Sequence, residues 1–129
     1  MASFFGTTQD HQLIIPVTIA NPDRPGDRVI ANGLVDTGST ACSIRESILD
    51  DLSIKRLGYV SIRLITGKRT VGYYKSLLVF GDNGSPSFFE ELVSPLPTAM
   101  APSIDVIIGM SVIAKGELTI KNGGFEFSL

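Results

Sequence analysis

Short apolar runs rich in β-branched residues alternate with turn-forming residues about every ten positions along the chain. This rhythm predicts strands at residues 13–20, 28–35, 59–65, 70–80, 87–93, 104–108, 118–121 and 125–129. Clusters of Gly, Pro, Asn and Asp predict turns at 21–27, 66–69, 82–84 and 122–124, with a Pro-rich loop at 95–102. We therefore expect a single all-β domain spanning residues 1–129, built as a barrel or sandwich.

Two segments depart from the strand pattern, and a third is ambiguous. Residues 43–52 predict a helix, because Ser43 and Glu46 have capping-box spacing and the apolar residues fall on one face. Residues 110–114 predict a second, shorter helix. The dipeptide at 32–33 is Asn-Gly, which leaves open whether 28–35 is one strand or contains a tight turn.

Composition narrows the class of protein. Of the 129 residues, 43% are hydrophobic and 19% charged, which is typical of a globular domain. The net charge of −2 argues against a nucleic-acid partner, and we interpret the cations at 55–69 as a solvated face. No apolar run approaches the ~20 residues of a membrane span, and no signal-peptide pattern opens the sequence. We expect a cytoplasmic protein, and leave open an anchor or targeting segment outside this sequence.

The segment Leu-Val-Asp-Thr-Gly-Ser-Thr at 34–40 carries the candidate chemistry. An apolar strand ends there in a carboxylate, Asp36, followed by a hydroxyl and by a glycine that permits a tight turn. Alone, this tripeptide is a weak signal, since Asp-x-Gly turns commonly end strands. A second segment, Asp-Val-Ile-Ile-Gly-Met at 105–110, places two apolar residues and a glycine before the predicted short helix.

Together these segments resemble the retropepsin-like aspartic proteases, which include the retroviral proteases and their cellular and bacterial relatives. The resemblance covers most of residues 13–129 and implies a single-domain, homodimeric barrel with a flap hairpin at 59–80. It implies a catalytic loop formed by Asp36, Thr37 and Gly38. The substrate-binding positions that it implies are Ser39, Thr66, Gly67 and Ile108.

The chain also departs from the retroviral pattern. Retroviral members often pair an acidic residue four positions after the catalytic aspartate with an arginine after the second glycine. Those positions hold Thr40 and Met110, so that ion pair is missing, and the chain resembles the bacterial and cellular branch more closely. Ser111 stands where that branch often has an acidic residue.

Aspartic protease chemistry needs two carboxyl groups that share one proton. This chain has one Asp-Thr-Gly, so we expect the second carboxylate from an identical chain in a two-fold homodimer acting on a peptide or protein substrate. We expect no cofactor and no metal, because His11 is the only histidine. Cys42 lacks a good histidine base for a cysteine protease and is interpreted as a small buried hydrophobe, although its oxidation could modulate the dimer.

Two questions stay open from the sequence. The chain is either an aspartic endopeptidase or a non-catalytic module of the same fold that dimerises or binds peptides. The alternation of Phe125 and Phe127 with polar residues predicts a strand with one apolar face. That face either joins an interleaved dimer sheet, as in the retroviral enzymes, or closes the chain's own barrel.

Overall fold

The computed structural model describes residues 2–81, 84, 86–96 and 103–129. Within them the chain forms ten strands and two short helices. The strands are β1 (Ser3–Gln9), β2 (Gln12–Asn21), β3 (Arg24–Val35), β4 (Cys42–Arg45), β5 (Arg56–Leu64), β6 (Gly67–Phe80), β7 (Ser87–Leu96), β8 (Val106–Ile108), β9 (Glu117–Lys121) and β10 (Gly124–Ser128). The helices are α1 (Glu46–Asp51) and α2 (Met110–Ile113). The predicted all-β class with one or two short helices is confirmed.

The strands form one sheet in the order β5-β6-β7-β4-β8-β3-β2-β1-β10-β9, and β6 also pairs with β2. That additional pairing joins β2, β3, β8, β4, β7 and β6 into a closed barrel. Two parts of the sheet extend beyond the barrel. They are the hairpin of β5 and β6 on one side and the ribbon of β1, β10 and β9 on the other.

The core is centred on Phe80, which is 1% exposed. The rings of Phe4, Phe89 and Phe127 each lie 5.8 Å from the Phe80 ring, centroid to centroid. Phe125 and Phe127 are both 3% exposed and belong to this core, while β10 pairs with β1 of the same chain. The last strand therefore closes the chain's own core, which is the second of the two arrangements expected from the sequence.

The helix predicted at 43–52 is partly wrong. Residues 42–45 form β4, which pairs with β7 and β8, and α1 begins only at Glu46. The Ser43 hydroxyl forms a hydrogen bond with the Ser94 hydroxyl at 2.9 Å, so it caps no helix. The apolar pattern of four residues is compatible with a helix or a strand. Pairing on both edges of β4 therefore decides its conformation.

One other prediction needs correction, one open alternative is decided, and one strand was missed. The turn predicted at 21–27 is confined to Pro22 and Asp23, because Pro25 and Gly26 lie within β3. The Asn-Gly at 32–33 lies in mid-strand opposite Pro16 and Ile15, so β3 has no tight turn there. Strand β1 was not predicted. Much of the turn at 82–84 and of the loop at 95–102 lies outside the described residues.

Candidate active site

Asp36 is the first residue after β3, and the neighbouring strand holds it in place. Strands β3 and β8 run parallel, with Val35 opposite Ile108. The Asp36 amide donates a hydrogen bond of 2.9 Å to the Ile108 carbonyl, which continues the ladder one residue past the strand. The half-buried carboxylate therefore leaves the barrel at a defined point.

The loop after Asp36 folds back on the carboxylate. The Gly38 amide donates a hydrogen bond of 2.9 Å to Asp36 Oδ1, and the Ser39 amide donates one of 3.2 Å to the Asp36 carbonyl. A Cβ atom at position 38 would lie 3.2 Å from Asp36 Oδ1, so the glycine leaves room for this approach. One carboxylate oxygen is thus oriented by the backbone, as a group with a fixed chemical role requires.

The second sequence motif braces this loop from behind. The amides of Met110 and Ser111 donate hydrogen bonds of 2.7 and 2.9 Å to the carbonyls of Ser39 and Thr40. Gly109 lies so close to the loop that a Cβ atom there would lie 2.8 Å from the Ser39 carbonyl oxygen. The two motifs, which stand at residues 34–40 and 105–110 of the sequence, therefore form one hydrogen-bonded unit.

Cys42 belongs to the support of the loop. Its side chain is 0% exposed, its sulfur accepts a hydrogen bond of 3.4 Å from the Gly109 amide, and it lies 3.7 Å from the Ser111 hydroxyl oxygen. Burial raises the pKa of the Cys42 thiol above its ordinary value. A buried thiol with a raised pKa is a poor nucleophile, so the structure gives no support to a cysteine protease.

A partly buried ion pair, missed from the sequence, fixes the start of the second motif. Arg45 Nε lies 3.2 Å from Asp105 Oδ1, with side chains 9% and 30% exposed. Asp105 Oδ2 accepts a hydrogen bond of 3.0 Å from the Asn32 amide, and the Arg45 amide donates to the Asp105 carbonyl at 2.8 Å. Asp105 therefore links β3, β4 and the residues that lead into β8. In the sequence, the only indication of this role was a carboxylate directly before an apolar strand.

A cavity of about 680 Å³ lies beside Asp36 and Thr37. Strand β9 contributes Leu118 and Ile120 to its wall, and the turn between β1 and β2 contributes His11. Among the described residues, the lining contains a single carboxylate, that of Asp36.

A second cavity, of about 410 Å³, separates the end of the loop from the predicted flap. Ala41 lines it on the loop side, and the β5–β6 hairpin and β7 supply a mostly apolar wall of Tyr59, Val60, Ile62, Tyr73, Leu92, Val93 and Ser94. The tip of the hairpin is a turn at Ile65 and Thr66, and Gly67 follows with φ of +131°, a conformation that favours glycine. The predicted hairpin is confirmed, but the turn predicted at 66–69 lies at Ile65 and Thr66, and Lys68 and Arg69 belong to β6.

The remaining candidate residues differ in their surroundings. Thr37 is exposed, whereas the Ser39 hydroxyl donates a hydrogen bond of 2.8 Å to the Ala41 carbonyl of its own loop. Ile108 is 1% exposed, so its side chain packs in the core and its carbonyl positions Asp36. Substrate contact by Ser39, Thr66, Gly67 and Ile108 stays a prediction.

Comparison with known proteins gives matches by structure alone. No protein-family model and no curated protein sequence matches the chain. A retropepsin-like aspartic protease from Rickettsia conorii superposes with a TM-score of 0.67 at 12% identity, covering 98% of this chain and 89% of that one. The EIAV protease, solved with an inhibitor, gives a TM-score of 0.54 at 16% identity, covering 82% and 88%.

These similarities establish a retropepsin-like fold. At such low identity they establish the fold and not the activity, because one fold supports many functions. In the part of the chain that the structure describes, neither helix is long and apolar enough to cross a bilayer.

Proposed function

We propose that this chain is an aspartic endopeptidase, with one active site formed by Asp36 from each of two identical chains. The observation that carries the proposal is the carboxylate of Asp36, oriented by the Gly38 amide on a loop that Gly109 and its neighbours brace. The retropepsin-like fold supports it further, since the similar Rickettsia conorii chain is a retropepsin-like aspartic protease and the similar EIAV chain is a protease.

The chemistry requires two carboxyl groups about 3 Å apart that share one proton. Like charges at that distance cannot both ionise, so one group is a base and its partner an acid. The base removes a proton from a water molecule, whose oxygen attacks the scissile carbonyl carbon while the acid protonates the carbonyl oxygen. The carbon–nitrogen bond then breaks, and the leaving amine takes up a proton from the dyad.

The surroundings of the loop favour an extended peptide with apolar side chains as substrate. The apolar cavity between Ala41, at the end of the Asp36 loop, and the β5–β6 hairpin can accept an apolar side chain without burying an unpaired charge. The hairpin tip at Thr66 and Gly67 is exposed, so its backbone groups are available to a peptide strand. Backbone hydrogen bonds with an extended peptide are a common mode of recognition.

The test is hydrolysis of a peptide library by the purified chain and by Asp36→Asn. The amide has almost the same shape but cannot share the proton, so we expect hydrolysis to fall by at least about 10³-fold with the fold unchanged. The exposed Asp51→Asn is the matched control and should retain full activity. A pepstatin-type transition-state mimic should inhibit the wild-type chain.

Two results would contradict the proposal. The first is hydrolysis by Asp36→Asn at more than a few per cent of the wild-type rate. The second is a folded wild-type chain that binds peptides and cleaves none of the library, which would favour the non-catalytic module.

A further inference from the structure

Positive charge is concentrated in the segment that forms the β5–β6 hairpin. Six of the eleven Lys and Arg residues lie between Lys55 and Lys75, and no Asp or Glu occurs between Asp51 and Asp82. The rest of the chain holds all thirteen acidic residues, so a chain with a net charge of −2 has one strongly cationic element. Charge separated in this way attracts a partner of opposite sign to that element.

The cations of the hairpin differ in whether the chain itself neutralises them. Near the barrel, Lys75 Nζ lies 3.3 Å from Glu90 Oε1. Nearer the tip, Arg63, Lys68 and Arg69 are all exposed. Within the described part of the chain, none of these three lies at ion-pair distance from a carboxylate. Their positive charge is therefore available to a ligand.

The β5–β6 register places these three cations on opposite faces of the hairpin. Arg63 is opposite Lys68, and Ile62 is opposite Arg69. Facing residues of an antiparallel pair project to the same side of the sheet, and successive residues project to opposite sides. Ile62 lines the cavity of about 410 Å³ next to Ala41. Arg69 therefore lies on the face of the hairpin that lines this cavity, while Arg63 and Lys68 lie on the other face.

The cavity itself contains no charge among the described residues, since its lining consists of apolar side chains, two tyrosines and a serine. Two cations share its face of the sheet. Lys75 is opposite the lining residue Leu92 but is already paired with Glu90. Arg69, at the end nearest the hairpin tip, has no such partner. An apolar cavity with one available cation beside it is complementary to a ligand that carries both an apolar group and a carboxylate.

We propose that Arg69 selects peptide substrates that carry an acidic side chain close to the apolar side chain that enters this cavity. The inference rests on the proposed function, because it names the substrate class of that site. Alternate side chains of an extended peptide point to the same side, so the acidic residue is expected two positions from the apolar one. The guanidinium of an arginine can bind a carboxylate through two parallel hydrogen bonds, which gives this contact its selectivity.

Binding of matched peptides to an inactive chain tests the inference without cleavage. The probes are labelled peptides with a central leucine and either Glu or Gln two positions to each side of it. In the Asp36→Asn background we expect the Glu peptide to bind about five- to tenfold more tightly than the Gln peptide. Adding Arg69→Gln should remove most of this preference. Arg63→Gln is the matched control, because it removes the same charge from the opposite face and should retain the preference.

Two further variants of the same residue separate recognition from a merely structural role. Arg69→Glu should reverse the preference, so that a peptide with Lys in place of Glu binds more tightly. Arg69→Lys should retain only part of it, because an ammonium keeps the charge but not the planar fork of hydrogen-bond donors. A structural role would weaken binding of every peptide alike and would reverse nothing. In the wild-type chain, kcat/KM should show the same preference for the Glu peptide over the Gln peptide.

The outcomes separate this inference from the proposed function. Equal binding of the Glu and Gln peptides, or an equal loss of preference in Arg69→Gln and Arg63→Gln, overturns the inference and leaves the proposed function standing. Tighter binding of a single-stranded oligonucleotide than of the Glu peptide would assign the cations to nucleic acid and overturns it as well. A Glu preference in binding without any hydrolysis by the wild-type chain overturns the proposed function and leaves Arg69 as the contact for acidic peptides. A folded chain that binds none of the peptides overturns both.

Discussion

At the scale of single residues, Gly109 has little freedom to change. Its φ of −95° and ψ of −176° suit any residue, so backbone strain is not the reason for a glycine there. The reason is contact, because a Cβ atom would press on the carbonyls of Ser39 and Ala41. These carbonyls belong to the loop that carries Asp36.

Gly109→Ala should therefore displace the Asp36 loop. We expect a loss of about 1–3 kcal/mol in the free energy of unfolding, the usual cost of overpacking, together with a larger loss of any peptidase activity. Gly26→Ala is the control, because a Cβ atom at Gly26 would meet nothing within 4 Å. Chemical denaturation of both variants measures the effect, and equal stability of the two would show that the loop is not packed as described.

Cys42 makes a prediction about alkaline pH. Burial raises the pKa of its thiol in the folded chain, so the unfolded chain releases the proton first as pH rises. The thiol's contribution to the free energy of unfolding is therefore fully present below the ordinary thiol pKa of about 8.5. It is lost progressively as pH rises from there toward the pKa of Cys42 in the folded chain. Wild-type stability should fall more steeply than that of Cys42→Ala between about pH 8 and pH 10. Parallel stability curves in denaturant titrations would contradict this.

At the scale of elements, the ion pair of Arg45 and Asp105 holds three strands in register. Asp105→Ala leaves the buried guanidinium without its carboxylate and the Asn32 amide without its acceptor. Breaking a fully buried ion pair costs about 3–5 kcal/mol. Because Asp105 is partly exposed, we expect a slightly smaller loss of about 2–4 kcal/mol in the free energy of unfolding.

A surface ion pair provides the control for that variant. Arg24 and Asp27 lie 3.3 Å apart with side chains 60% and 54% exposed, so Asp27→Ala should cost less than about 1 kcal/mol. Equal losses in thermal or chemical denaturation would show that the Arg45–Asp105 pair contributes no more to stability than a surface ion pair.

The elements also show what the sequence could and could not predict. Strands with a clear apolar rhythm, such as β2, β6 and β10, were predicted within a few residues of their bounds. Strand β4 was assigned to a helix, because Cys-Ser-Ile-Arg has no period long enough to separate the two. Its partners β7 and β8 decide its conformation, and they lie tens of residues away in the sequence.

The residues of the candidate site likewise differ in whether the sequence alone could indicate them. Asp36, Thr37 and Gly38 became candidates because the segment that contains them and the segment at 105–110 together resemble the retropepsin-like pattern, and their catalytic role stays a prediction. Arg45 and Asp105 could not be found in this way, since their pairing depends on β4 and β8 being adjacent, which no local pattern indicates. The exposed face of β9 was missed for a similar reason, because Ile120 looks like a core residue until the edge of the core is known.

At the scale of the whole molecule, the barrel, the β5–β6 hairpin and the β1–β10–β9 ribbon have different roles in the proposed enzyme. The closed barrel fixes Asp36, the β5–β6 hairpin offers a wall to the substrate, and the β1–β10–β9 ribbon extends the sheet past the barrel. The ribbon is not an independent appendage, however. Phe127 of β10 packs on Phe80 at the centre of the barrel, so the ribbon and the core fold as one unit.

Removal of residues 124–129 should therefore unfold the chain and not merely dissociate it. The deletion removes Phe125 and Phe127, and burial of each contributes on the order of 3–5 kcal/mol, against a total stability of about 5–15 kcal/mol for a domain. Phe127→Ala alone should cost about 3–5 kcal/mol. Phe5→Ala, at a site 68% exposed, should stay within about 0.5 kcal/mol when measured at low protein concentration. Circular dichroism and sedimentation distinguish an unfolded truncated chain from a folded monomer. A truncated chain that sediments as a folded monomer would mean that the barrel closes without its last strand.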